Sequence, residues 1–141
     1  QDMEKLSRYA GLFLYWMLER NKIKDASQFL YQLRKNNPNF LLHDLLLMSR
    51  LAKQFFRTKK YALVLWLAED AKTRFKPCEE LAILYLLATQ SLITHFNDLE
   101  KAEEYLLFIL TACSEYPSVE AAKALLIHLQ NNQKQQQDLR N

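Results

Sequence analysis

A period of 38 residues constrains this chain more than any other feature of its sequence. Laid against itself at that offset, it superposes Ile23, Tyr61 and Leu99, then Ala26, Val64 and Ala102, then Phe29, Leu67 and Tyr105, then Leu30, Ala68 and Leu106, then Leu33, Ala71 and Ile109. All five columns are apolar and fall at helical spacing within each unit, so one buried helix face occurs three times. Pro38, Pro77 and Pro117 close the units within a few positions of one another, and a residue without an amide hydrogen ends a helix. Units that cannot bury their own apolar faces must stack on their neighbours.

Each unit reads as a pair of helices. The spacing predicts a helix from about Lys5 to Arg20, a break at Asn21-Lys22, and a return helix from Lys24 to Asn36. The second pair runs from Leu41 to Phe56, turns at Thr58-Lys59-Lys60 and returns from Tyr61 to about Phe75. The third runs from Glu79 to about His95, turns at Asn97-Asp98 and returns from Leu99 to Ala112. Connections this short make each pair an antiparallel hairpin. Beyond Pro117, Ser118 is a candidate N-cap, with Ala121, Ala124, Leu125 and Leu129 on one face behind it. A lone terminal helix suits the end of such a stack, and its last turns run into a Gln/Asn/Lys tract typical of a solvated extension.

The expected fold class is therefore all-α, one domain over 1–141 with repeats at about 5–38, 41–77 and 79–117 and a C-terminal capping helix over about 118–138. Composition agrees: one Gly and three Pro in 141 residues remove the turn chemistry of sheets and of glycine-rich phosphate loops. No apolar run reaches the ~18 residues of a membrane-spanning helix, and the N-terminus lacks a basic segment leading an apolar one. The expectation is a chain with no membrane span, intracellular and cytoplasmic.

Charge is divided along the chain. Residues 1–76 hold 15 Lys/Arg against 7 Asp/Glu, and residues 77–141 hold 4 against 9. The basic set Arg50, Lys53, Arg57, Lys59, Lys60, Lys72, Arg74 and Lys76 is the best case for an acidic ligand, but Glu69 and Asp70 interrupt it. Nucleic acid, which wants a continuous basic stripe, is disfavoured.

Catalytic chemistry is not spelled out. His43, His95 and His128 fall in different units, and Cys78 and Cys113 stand 35 residues apart without a CxxC pair, so a zinc site, a disulfide framework and a resident cofactor are not expected. None of the common nucleophile, zinc-protease or phosphate-loop motifs occurs. The chain is read as a non-enzyme.

A small residue on the first helix of a pair (Ala52, Ala88), an aromatic opening the second (Tyr61), small residues within it (Ala26, Ala71, Ala102) and a Pro behind it resemble the tetratricopeptide repeat. The likeness covers residues 5–117 and is strongest in the middle unit. It implies a right-handed superhelical solenoid whose concave surface is lined by first helices, here by Gly11, Tyr15, Leu18, Ser49, Lys53, Phe56, Tyr85, Thr89 and Leu92. Family members that grip chaperone tails place Lys, Asn and Arg at such sites, and those donors are missing here. An apolar groove suits a helix or apolar segment of a protein partner. The resemblance thus implies an adaptor or chaperone, and by size and architecture the chain looks like the small chaperones of bacterial type III secretion. The alternative is a homodimer or self-associating scaffold subunit, of the kind the anaphase-promoting complex contains.

Overall fold

Three residues organise the hairpins. Asn21, Lys59 and Asn97 are the only non-glycine residues with positive φ among the described ones, at 55°, 63° and 52°, and each stands 38 positions from the next. At each, the following amide reaches back over the helix end. Lys22 N–H donates to the Met17 carbonyl at 2.8 Å and Lys60 N–H to that of Phe55 at 2.7 Å. This closure by a left-handed residue satisfies carbonyls that the last helical turn leaves open, and it reverses the chain within three residues.

The structure is a computed structural model that describes residues 2–140, so Gln1 and Asn141 of the expected domain lie outside it. It is all-helical: α1 (Asp2–Glu19), α2 (Ile23–Asn36), α3 (Leu45–Arg57), α4 (Tyr61–Ala68), α5 (Ala71–Arg74), α6 (Glu79–Ser91), a π turn (Leu92–Phe96), α7 (Leu99–Ala112) and α8 (Ser118–Arg140). No helix among the described residues is long and apolar enough to cross a membrane. Helices α1 and α2, α3 and α4, and α6 and α7 pair as hairpins, and each later first helix lies against both members of the pair before it. Thus α3 touches α1 and α2, α6 touches α3 and α4, and α8 touches α6 and α7. Ala26, Ala52, Ala68, Ala82, Ala88 and Ala102 are fully buried, where small side chains let helix axes approach closely.

The structure departs from the expected helices in three places. Residues 41–43 are not helical, because Asp44 caps α3 by accepting the Leu47 amide at 3.1 Å. The connection before it instead buries Phe40 and Leu42, and Arg74 Nη1 donates to the Leu42 carbonyl at 2.8 Å. The second return helix breaks at Glu69-Asp70 into α4 and α5. The Lys72 amide near that break donates to the Tyr85 hydroxyl at 2.9 Å, so the side chain of another helix takes up a freed backbone group.

The third departure lies in the third unit. Asp98 N–H closes on the Leu92 carbonyl at 3.1 Å, spanning six residues where the first two turns span five. The extra residue is accommodated by the π turn. Core positions of α6 consequently follow those of α3 by 37 residues, Phe55 matching Leu92 and Met48 matching Tyr85, while the turns keep 38.

Candidate functional site

The expected groove lining divides. Tyr15, Leu18 and Phe56 are half-buried and Lys53 is exposed, but Ser49, Tyr85, Thr89 and Leu92 are inside the protein. The last three follow Ser49, Lys53 and Phe56 by 36 residues, one fewer than the 37 that relates the core of α6 to that of α3, so they fall on core positions that face α3, α4 and α7. One residue further on, Leu86 and Gln90 of α6 and Ile93 of the π turn are half-exposed. Of the four buried residues, the three polar ones have internal partners. Thr89 Oγ1 donates to the Tyr85 carbonyl at 2.7 Å and Ser49 Oγ to that of Leu46 at 2.9 Å. The Tyr85 ring meets Tyr105 edge-on at 4.8 Å. Burial pushes the Tyr85 and Tyr105 hydroxyls up to about 12, neighbouring Asp and Glu carboxylates adding to it.

What stays open is a cleft of about 700 Å³ at the first hairpin, between α1 and the connection that leads into α3. Met3, Ser7, Gly11 and Tyr15 recur every four residues along α1 and make one wall; Leu42, His43 and Asp44 make the other. Ser7 Oγ donates to the Leu41 carbonyl at 3.0 Å, which fixes the two walls against each other. Gly11 keeps the floor low without being strained, since a Cβ there would meet only Leu47 Cδ2 at 3.7 Å.

The end of the cleft at Tyr15 and Asp44 is polar. Burial first, then the Asp44 carboxylate, raises the Tyr15 hydroxyl above its ordinary value, with Arg50 opposing. Arg50 also lies 5.6 Å from the Tyr15 ring and pairs with Glu19 at 3.5 Å. Glu4 and Arg8 edge the cleft alongside Leu12. Apolar side chains around a few convergent polar groups favour an apolar segment held in one orientation. Among the described residues no group of His, Cys, Asp and Glu is arranged to hold a metal ion.

Of the basic set, Arg50 is paired with Glu19, Lys72 with Glu104 at 3.7 Å, and Arg74 with the Leu42 carbonyl. His95 lies in the π turn with its ring 5.2 Å from Tyr61 and 4.7 Å from Phe96. His128 contacts Asn132 on α8 at 3.2 Å. Cys78 and the buried Cys113 are free thiols, and burial followed by the nearness of Cys78 raises the Cys113 thiol.

Sequence reasoning missed Met3, Ser7, Leu42, His43 and Asp44 as cleft residues. One signal for them was present: Asp directly before Leu45-Leu46-Leu47 is an N-cap pattern, which places 41–43 outside the helix. Comparison with protein-family models, with curated proteins and with solved structures finds no match to the chain.

Proposed function

We propose that the chain is a non-catalytic protein-interaction module, a right-handed solenoid of three tetratricopeptide-like hairpins with a capping helix. It acts as an adaptor or chaperone in the cytoplasm. The occupant of its site is a helix or apolar segment of a protein partner. The observation that carries this reading is the cleft itself: about 700 Å³, apolar at Met3, Gly11, Leu12 and Leu42 and polar at Ser7, Tyr15, His43 and Asp44. Such a cleft takes side chains of an amphipathic segment as anchors and orients them by one polar end. The way each first helix contacts both members of the preceding hairpin supports the repeat architecture. Internal pairing of Arg50, Lys72 and Arg74 supports a protein partner over nucleic acid.

Peptides selected from a random library on the purified chain test the proposal. Gly11→Trp fills the cleft from a position with room for a side chain and should abolish binding in fluorescence anisotropy while the urea midpoint stays put. Peptides that bind this variant as tightly as wild type would place the site elsewhere. Phe56→Ala and Lys53→Glu show whether a bound segment runs on across α3.

A further inference from the structure

The other exposed side of α1 carries a stripe that the cleft leaves unused except at Leu12, which borders both. Tyr9, Leu12, Phe13 and Trp16 are 66%, 62%, 44% and 42% exposed. Taking roughly 200 Å² per side chain, they leave on the order of 400 Å² of apolar surface in one patch, a size that on a monomer is often functional. The patch is prearranged: Phe13 stacks on Trp16 at 5.9 Å and meets Phe29 of α2 edge-on at 4.9 Å. Arg20 lies over the Trp16 ring at 4.4 Å.

The geometry points to a second copy of this chain as the occupant, docked with the two α1 helices antiparallel about a twofold axis near Leu12. Residues 5, 9, 12, 16 and 19 alternate in steps of four and three, the spacing of a helix–helix seam. Reversing one copy about Leu12 sets Tyr9 opposite Trp16, Leu12 against its own counterpart, and Lys5 opposite Glu19. A parallel pairing would set Lys5 on Lys5 and Glu19 on Glu19. The seam is therefore self-complementary in one direction only, as a closed twofold interface requires. Glu19 keeps 65% of its side chain exposed beside Arg50 and remains available.

A head-to-tail contact has less to offer. The outer face of α8 exposes Ile127 and Leu139 among Gln, Asn and Lys, so the aromatic stripe would face mostly amides. Two such patches, on the order of 800 Å² in all, fall below the standard size of stable interfaces, so the dimer is a weak and reversible one. This inference does not depend on the cleft.

Sedimentation equilibrium of the full chain from about 1 to 200 µM should show the mass doubling and then levelling off. Lys5→Glu and Glu19→Lys should each weaken the dimer about tenfold by setting like charges across the seam twice. The double variant should return to within about twofold of wild type. Mixing the two single variants should form a heterodimer tighter than either homodimer, a result that misfolding does not produce. Trp16→Ala should weaken association at least tenfold, with the urea midpoint as the check on folding. A chain monomeric throughout, a mass that keeps rising past the dimer, or charge swaps that do not rescue one another would each overturn the inference.

Discussion

The two end hairpins bury their outer faces differently. At α6–α7 the outer face is closed by α8: Val119, Ala122 and Leu129 are buried against it, and Glu79 Oε1 and Oε2 accept the Ser118 amide at 3.1 Å and its hydroxyl at 2.8 Å. Tyr116 adds a hydroxyl bond to the Pro77 carbonyl at 3.2 Å. At α1–α2 nothing among the described residues covers the corresponding side, and aromatic rings take up the exposed positions of α1. The same kind of helix pair is therefore a closed core at one end and a presented surface at the other. Closure depends on a long helix and on one carboxylate that caps it.

Substitutions at the two ends test this contrast most directly. Tyr85→Ala should cost about 3–5 kcal/mol in urea unfolding, as large aromatic deletions in a core do, because Tyr85 is fully buried and accepts the Lys72 amide. Trp16→Ala at the open end should cost under about 1 kcal/mol, the range of surface changes. Equal costs would erase the distinction.

The alkaline limb of stability belongs to the closed end. With Tyr85 and Tyr105 pushed up to about 12 in the folded chain, the native state keeps protons that the unfolded chain releases near pH 10. Stability from these groups is thus complete below about pH 10 and falls as pH rises toward 12, by at most ~1.4 kcal/mol per pH unit for each tyrosine. Tyr85→Phe should flatten that slope measurably in urea melts at pH 10 and 11; an unchanged slope would move the titrating groups elsewhere.

Glu79→Ala should loosen the α8 cap by about 1–2 kcal/mol, the usual effect of losing a helix N-cap. Faster amide exchange at residues 118–122, with α1 unaffected, is the expected pattern. The smallest effect lies at the turns. Lys59 holds φ of 63° with a side chain poorly suited to it, so Lys59→Gly should stabilise by about 0.5–1 kcal/mol, whereas Asn21 and Asn97 already tolerate that conformation.

The hairpins and their turns were legible because apolar columns and short polar breaks repeat in register. The left-handed residues sit at that same offset, although Lys59 on its own would not have been chosen for one. The non-helical run 41–43 was obscured by its apolar residues: Leu41 and Leu42 extend a helical pattern by composition alone, and only Asp44 marks the boundary. The break at Glu69-Asp70 has no Gly or Pro to announce it; the amide of Lys72 just beyond it is taken up by a hydroxyl thirteen residues further along, that of Tyr85 in α6. The π turn also had no sequence mark. The groove residues expected on α6 lie in the core for another reason, since Tyr85, Thr89 and Leu92 follow Ser49, Lys53 and Phe56 by 36 residues, one short of the 37 that the packing keeps. Near α1 the cleft escaped notice because half of its wall comes from a connection that was read as helix.

The π turn has a consequence for how length can vary in such a chain. The stack meets two demands at once, one on which side chains face the preceding hairpin and one on where the chain reverses, and a strictly regular helix would tie them together. A single loose loop of helix at Leu92–Phe96 lets them differ by one residue. It works as an expansion joint: a residue gained or lost there changes the turn's distance along the helix while the interlocking of α6 with α3 and α4 stays as it was.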